Sequence, residues 1–181
     1  MRVIGVDPGL RHTGWGVVEF KNNKIFHIKD GSISPSIKFD DGKRLLEIKN
    51  QLLEIINQYN PKISVIEKIF VGSGSISSLK LGMARGASMI ALSESGIIIK
   101  ELSPKFVKKT VTGYGSASKE QIKSMIEKLL NIVPKNEDSS DALAIAISGQ
   151  HVGYNNNFSF SNEHDGLNLA IAKALLKEEN K

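Results

Sequence analysis

The sequence contains no cysteine, so it has no disulfide framework, no thiolate nucleophile and no sulfur ligand for a metal. Any metal centre must be built from oxygen or imidazole donors. No apolar run reaches the roughly 20 residues that span a bilayer. The N-terminus also lacks the basic segment and cleavable apolar stretch of an export signal. The expected compartment is the cytoplasm, with no membrane partner. Aromatic residues make up only 6%, and the four histidines (12, 27, 151 and 164) stand in no triad-like context. Nucleophilic chemistry of the Ser-His-Asp kind has little to draw on.

What remains is an ordinary globular composition. With 181 residues, 40% hydrophobic and 24% charged, the chain can bury the core of one domain. The net charge of +5 is modest, but it is concentrated. Between Pro104 and Lys135 lie seven lysines (105, 108, 109, 119, 123, 128 and 135) and two acids, Glu120 and Glu127, an excess equal to that of the whole chain. Such a stretch is either a solvated helix face or a surface that meets phosphates.

Along the chain, Val3-Ile4-Gly5-Val6 delivers Asp7 to a strand end, and Pro8-Gly9 then forces a turn. Thr13–Phe20 and Lys24–Ser34 read as two further strands joined through Lys21-Asn22-Asn23 in a hairpin. Leu45, Ile48, Leu52, Ile55, Ile56 and Tyr59 recur at helical spacing after Asp40-Asp41 and stop at Asn60-Pro61. Ile63–Ile66 is a short β-branched strand ending at Glu67. A loop containing Gly72 and Gly74 leads into a helix over about 76–95 with small residues at Gly82, Ala84, Gly86, Ala87 and Ala91. Ile97–Leu102 is the fifth strand. Helices start at Ser103-Pro104 and at Ser118, where Ser118 is the expected cap. Asp138 to Ile147 is apolar beyond its first turn, which predicts a buried helix with Asp138 and Asp141 on one side. The expected fold is α/β, a mixed five-stranded sheet with strands 1–3 antiparallel and helices on both faces. The domain spans 1–150, followed by a polar connection and a short C-terminal helix over 151–181.

Asp7, Glu67, Asp138 and Asp141 stand out by position. Singly, each has a structural reading: a turn opener, a surface residue, two helix caps. Gathered at one sheet end, they would repel one another and raise each other's pKa values, which a hard divalent cation such as Mg²⁺ resolves. Carboxylates and Mg²⁺ facing a basic surface suit two-metal phosphodiester hydrolysis, with ions about 3.5–4 Å apart.

At this point an ordered set of motifs resembles the RuvC family of bacterial Holliday-junction resolvases. The set comprises Asp7-Pro8-Gly9 with Thr13-Gly14, Ile66-Glu67 followed by Phe70, and Leu79-Lys80-Leu81-Gly82 with Ala84-Arg85-Gly86. It continues with Val107-Lys108, Gly113-Tyr114-Gly115-Ser116-Ala117 and Asp138-x-x-Asp141-Ala142-Leu143-Ala144. The resemblance runs to about residue 150, resumes briefly at Leu167-Asn168-Leu169-Ala170, and fails over 154–165 and beyond Ala170. It implies a ribonuclease H-like fold and a crossover junction endodeoxyribonuclease that nicks two strands of a four-way DNA junction symmetrically, leaving 5′-phosphates and 3′-hydroxyls. It further implies a homodimer paired through the helix holding Leu79–Ala91, and cooperation with a RuvA–RuvB branch-migration complex. Asp7, Glu67, Asp138 and Asp141 map onto the family's catalytic, metal-binding acids, for two Mg²⁺ ions or Mn²⁺ in their place. Phe70 maps onto an aromatic that stacks on an unpaired base, its alternative being a core residue at the foot of a loop. Lys108 and Lys119 map onto DNA contacts near the scissile phosphate, and Arg85 matches without an assigned contact.

Three other readings share some of these features. An ATPase of the actin and sugar-kinase class also uses Asp-x-Gly turns but needs two such lobes. A module could bind branched DNA without cutting it. A nuclease of the same fold could act on RNA–DNA hybrids.

Overall fold

The structure, a computed structural model, describes residues 1–69 and 76–152. Strand β1 (Arg2–Asp7) pairs antiparallel with β2 (Thr13–Lys21), and β2 with β3 (Lys24–Ile33). Asn22 and Asn23 both adopt positive φ (51° and 58°), the backbone that a tight two-residue hairpin requires. Asp40 caps helix α1 (Asp41–Tyr59) by accepting a hydrogen bond from the Lys43 amide, and left-handed Asn60 ends it. The chain then enters β4 (Ile63–Glu67), parallel to β1, and after α2 (Ile76–Glu94) β5 (Ile98–Leu102), parallel to β4. The sheet order is β3-β2-β1-β4-β5. Helices α3 (Pro104–Thr112), α4 (Lys119–Leu130) and α5 (Glu137–Ser148) complete the domain, with a short 3₁₀ turn at Gly149–Val152. Each element the sequence predicts up to Ser148 is present within a few residues. The expected helix at Leu167–Lys177 lies outside the described residues.

Strand alternation divides the core in two. Ile4, Val6, Trp15 and Val17 face one side and join Ile48, Leu52 and Ile56 of α1 with Ala84, Ala91 and Leu92 of α2. Trp15 stacks on Tyr59 of α1, ring centroids 5.9 Å apart and 28° from parallel. Val3, Val18, Phe20, Ile63 and Val65 face the other side, against Val107 and Val111 of α3, Ile122 and Ile126 of α4, and α5.

Helix α5 lies directly on the strands. A Cβ at Gly5 would collide with the Ala142 carbonyl and the Ala146 amide, one at Gly14 with the Asp138 carbonyl, and one at Gly16 with the Leu143 side chain. Bare backbone at these positions lets a helix of small residues settle onto the centre of the sheet. Everything from Ala142 to Ser148 is buried, as its apolar composition predicts.

Candidate active site

The parity that splits the core also places the acids. Asp7 shares its strand face with Val3 and Gly5, and Glu67 with Ile63 and Val65, so both carboxylates emerge on the α5 side. The parallel register Val3↔Ile63 to Val6↔Ile66 brings the two strands to their ends side by side. Here the carboxyl edge of the sheet is open, the place where α/β sheets bind ligands. The turn after Asp7 is pinned by Thr13, which is fully buried; its hydroxyl donates to the Gly9 carbonyl at 2.8 Å. Arg44 of α1 adds a second tie, donating to the Leu10 carbonyl at 2.8 Å.

Opposite the strand ends stands the first turn of α5. Asn136 caps it, with Ser139 in a reciprocal capping box. Asp141 joins Asp7 and Glu67 in an open cleft of about 300 Å³, which Lys108 and Lys119 also line. Asp138 does not line the cleft, but its charge raises the pKa values of both Asp7 and Asp141.

The electrostatics show how costly this gathering is. Burial and then the charges of Asp141, Glu67 and Asp138 push Asp7 up to about 7 from an ordinary 3.8. Glu67 is also raised, by burial and by Asp141, against relief from Lys108 and Lys119. Asp141 is raised chiefly by burial, although Lys119 reaches it at 3.3 Å. The exposed Lys119 ammonium is held above its usual range by Asp141, and it partly fills the need for positive charge.

A hard divalent cation fits this donor set. The donors are all oxygens, they repel one another, and one ammonium already leans in. Among the described residues no three acid or imidazole side chains stand at metal-ligand spacing. Asp7, Glu67 and Asp141 are thus together as expected, Asp138 is adjacent, and Lys108 and Lys119 flank them. Phe70 lies outside the described residues.

Two features of the site escape sequence reasoning. Arg85 of α2 donates to the Glu67 carbonyl at 3.4 Å and pairs with Glu101 of β5, so it pins the strand end that carries Glu67. Its motif position is legible, but its contact is not. Pro104, Val107, Ile122, Ala144 and Ile145 supply the apolar floor of the cleft. Their pattern is that of any buried residue.

Comparison with known proteins agrees with this geometry. The family described as "Crossover junction endodeoxyribonuclease RuvC" matches residues 3–149. A protein of that name from Ruegeria pomeroyi is 43% identical over 154 residues, covering 84% of this chain and 93% of the relative. One from Bradyrhizobium diazoefficiens is 42% identical over 152 residues, covering 83% and 87%. Among solved structures, Thermus thermophilus RuvC in complex with a Holliday junction substrate superposes with a TM-score of 0.78 at 29% identity, covering 84% of this chain and 94% of that one. The yeast mitochondrial Holliday junction resolvase Ydc2 shares the fold at a TM-score of 0.56 and 15% identity, covering 81% and 77%.

Proposed function

The chain belongs to the RuvC family of crossover junction endodeoxyribonucleases, with the ribonuclease H-like fold of that family, and from that premise we propose how it resolves four-way DNA junctions. Asp7, Glu67, Asp138 and Asp141 form the catalytic set and would hold the metal, two Mg²⁺ ions with Mn²⁺ as a substitute. When bound, the ions supply Lewis acidity at the attacked phosphate and charge neutralisation at the leaving oxygen. The observation that carries this reading is the convergence of Asp7, Glu67 and Asp141 on one cleft, with Asp7 pushed up to about 7.

The chain's own residues bind and orient. Lys108 and Lys119 offer ammonium groups to the phosphates flanking the cut, and Lys119 exchanges Asp141 for phosphate as DNA arrives. Lys105 and Lys123 extend the basic surface along α3 and α4. Phe70 serves as the stacking residue at the opened crossover, a contact worth about 1–3 kcal/mol per base. Asp7 would hold the cation as its carboxylate, so a proton and the cation would compete for it.

Symmetric nicking, leaving 5′-phosphate and 3′-hydroxyl ends, requires two sites in one assembly, which a homodimer provides. Its contact is the outer face of α2, where Ile76, Leu79 and Ile90 are exposed and a Cβ at Gly82 or Gly86 would meet nothing within 4 Å. The assignment extends to a RuvA–RuvB partner and a cytoplasmic setting. No helix among the described residues is long and apolar enough to cross a membrane. Residues 1–150 form the nuclease domain.

The test is cleavage of a synthetic four-way junction with Mg²⁺ or chelator, beside linear duplex and RNA–DNA hybrid. Paired, metal-dependent nicks in the junction alone are expected. Binding without nicks would reduce the acids to structure, and cutting of the hybrid alone would overturn the substrate.

A further inference from the structure

The second strand owes its contact with α5 to Gly14 and Gly16, whose absent side chains let the helix settle. Their cross-strand partners on β3 are Ser32 and Asp30. Directly paired residues share a face, so a helix seated on the two glycines meets Ser32 and Asp30 just beyond them. Both reach it. Asp30 accepts the Lys135 amide through Oδ2 at 2.9 Å, and Ser32 accepts the Asn136 side-chain amide at 2.8 Å. Asn136 is the α5 cap, and its own Oδ1 accepts the Ser139 amide at 2.8 Å.

Asp30 is built for this contact rather than left on a surface. It is 4% exposed, and a buried carboxylate persists only when its oxygens are satisfied. Its Oδ1 meets His27 Nε2 at 2.9 Å. Residues three apart on a regular strand point to opposite faces, but the register slips between Val17 and Val18, which leaves Ile28 unpaired. That bulge turns His27 onto the same face as Asp30. Burial pushes the Asp30 pKa up, and hydrogen bonds from the Lys135 backbone, Ser139 and His27 outweigh it and hold the carboxyl below its usual range.

An apolar helix on bare backbone has a well-defined depth, but apolar contact is not directional. A one-residue slip along the axis moves a helix by about 1.5 Å and turns it by about 100°, enough to take Asp138 and Asp141 away from Asp7. Directional bonds at the N-cap and the residue before it remove that freedom. We propose that Asp30 and Ser32 of β3 are positioning residues of the active site, which clasp Lys135 and Asn136 and so fix Asp138 and Asp141 for metal binding. The proposal rests on the assignment of the acids given above.

The test is Mg²⁺ binding by calorimetry without DNA, beside the Mg²⁺ concentration that half-saturates nicking and junction affinity in chelator. Asp30→Ala weakens Mg²⁺ binding by about tenfold, the lower end of what partners of metal ligands control, and leaves junction affinity unchanged. Ser32→Ala moves the same quantities less. Asp30→Asn keeps an acceptor for the Lys135 amide and falls between Asp30→Ala and the parent. Unchanged Mg²⁺ binding in Ser32→Ala and Asp30→Asn overturns the clasp, even where Asp30→Ala melts early or fails to fold. Asp138→Asn and Asp141→Asn separate the two readings. If both bind Mg²⁺ like the parent, the acid assignment fails; if both lose it while the β3 variants keep it, the clasp alone fails.

Discussion

On one face of the sheet, α1 buries Ile48, Leu52 and Ile56 among Ile4, Trp15 and Val17. On the other, α5 brings small residues down onto Gly5, Gly14 and Gly16. The first is side-chain packing, in which branched residues interdigitate and a lost methylene leaves a cavity. The second brings α5 main chain onto the bare backbone of Gly5 and Gly14, where an added methyl has nowhere to go. Only on the second face do Asp7, Glu67 and Asp141 converge on one cleft. A chemistry that needs carboxylates from three elements within one cleft is seated where the fold has the least slack.

The largest effect expected from breaking this arrangement is at the acids. Asp7→Asn should abolish nicking in gel assays while retaining junction binding. It should also raise the melting temperature of the metal-free protein by relieving repulsion, by about 2–4 °C for each kcal/mol gained. A metal-free variant that melts well below the metal-free parent would contradict the clustering of charge. Next come the glycines. Gly5→Ala should destabilise by about 3 kcal/mol or more in urea titration, because the new Cβ meets the α5 main chain.

On the opposite face, Leu52→Ala should cost about 2–5 kcal/mol of stability. Nicking per folded molecule should stay near the parent value, because Leu52 lies across the sheet from the acids. Acidity gives a subtler contrast. Asp7 is raised to about 7 from 3.8, so its stabilising contribution to the metal-free protein is full below about pH 4 and is lost as pH rises through about 7. Thermal melts in chelator should show that decline, and Asp7→Asn should flatten it. Mg²⁺ affinity should rise over the same window, since the cation displaces the proton. The smallest effect belongs to Gly86→Ala. A methyl there meets nothing within 4 Å, so chain stability should gain no more than the roughly 1 kcal/mol by which alanine exceeds glycine in a helix, and any loss should appear in sedimentation of the proposed homodimer.

Much of this was legible beforehand because it is local. Asp7 and Glu67 end strands whose alternation is plain, and Ser103, Ser118 and Asp40 cap helices by rules that act over three residues. Spacing places both α5 acids in the opening turns of that helix, although only Asp141 lines the cleft. The contacts that hold the site together are of another kind. Asp30 meets Lys135 across 105 residues, and no local pattern marks it. It even looks misplaced, because the bulge at Ile28 reverses the parity by which a strand is read. Arg85 illustrates the same limit: its place in a motif is visible, but its grip on Glu67 depends on how α2 crosses the β4–β5 edge. That Asp138 affects the cleft by charge without lining it also follows from tertiary rotation of α5, not from spacing.

The stacked pair Trp15–Tyr59 gives the molecule a built-in optical reporter. Trp15 is the chain's only tryptophan and is 9% exposed. Its indole emission therefore reads the docking of α1 on the sheet rather than the state of the acids, which lie on the other side. Gly31 sits across from it on β3, and a Cβ there would come within 3.0 Å of the ring, so the chromophore is held in one environment. A variant of the α5 face that stops cutting while keeping the parent emission has lost its chemistry and kept its scaffold, and a single fluorescence spectrum taken beside each nicking assay tells the two apart.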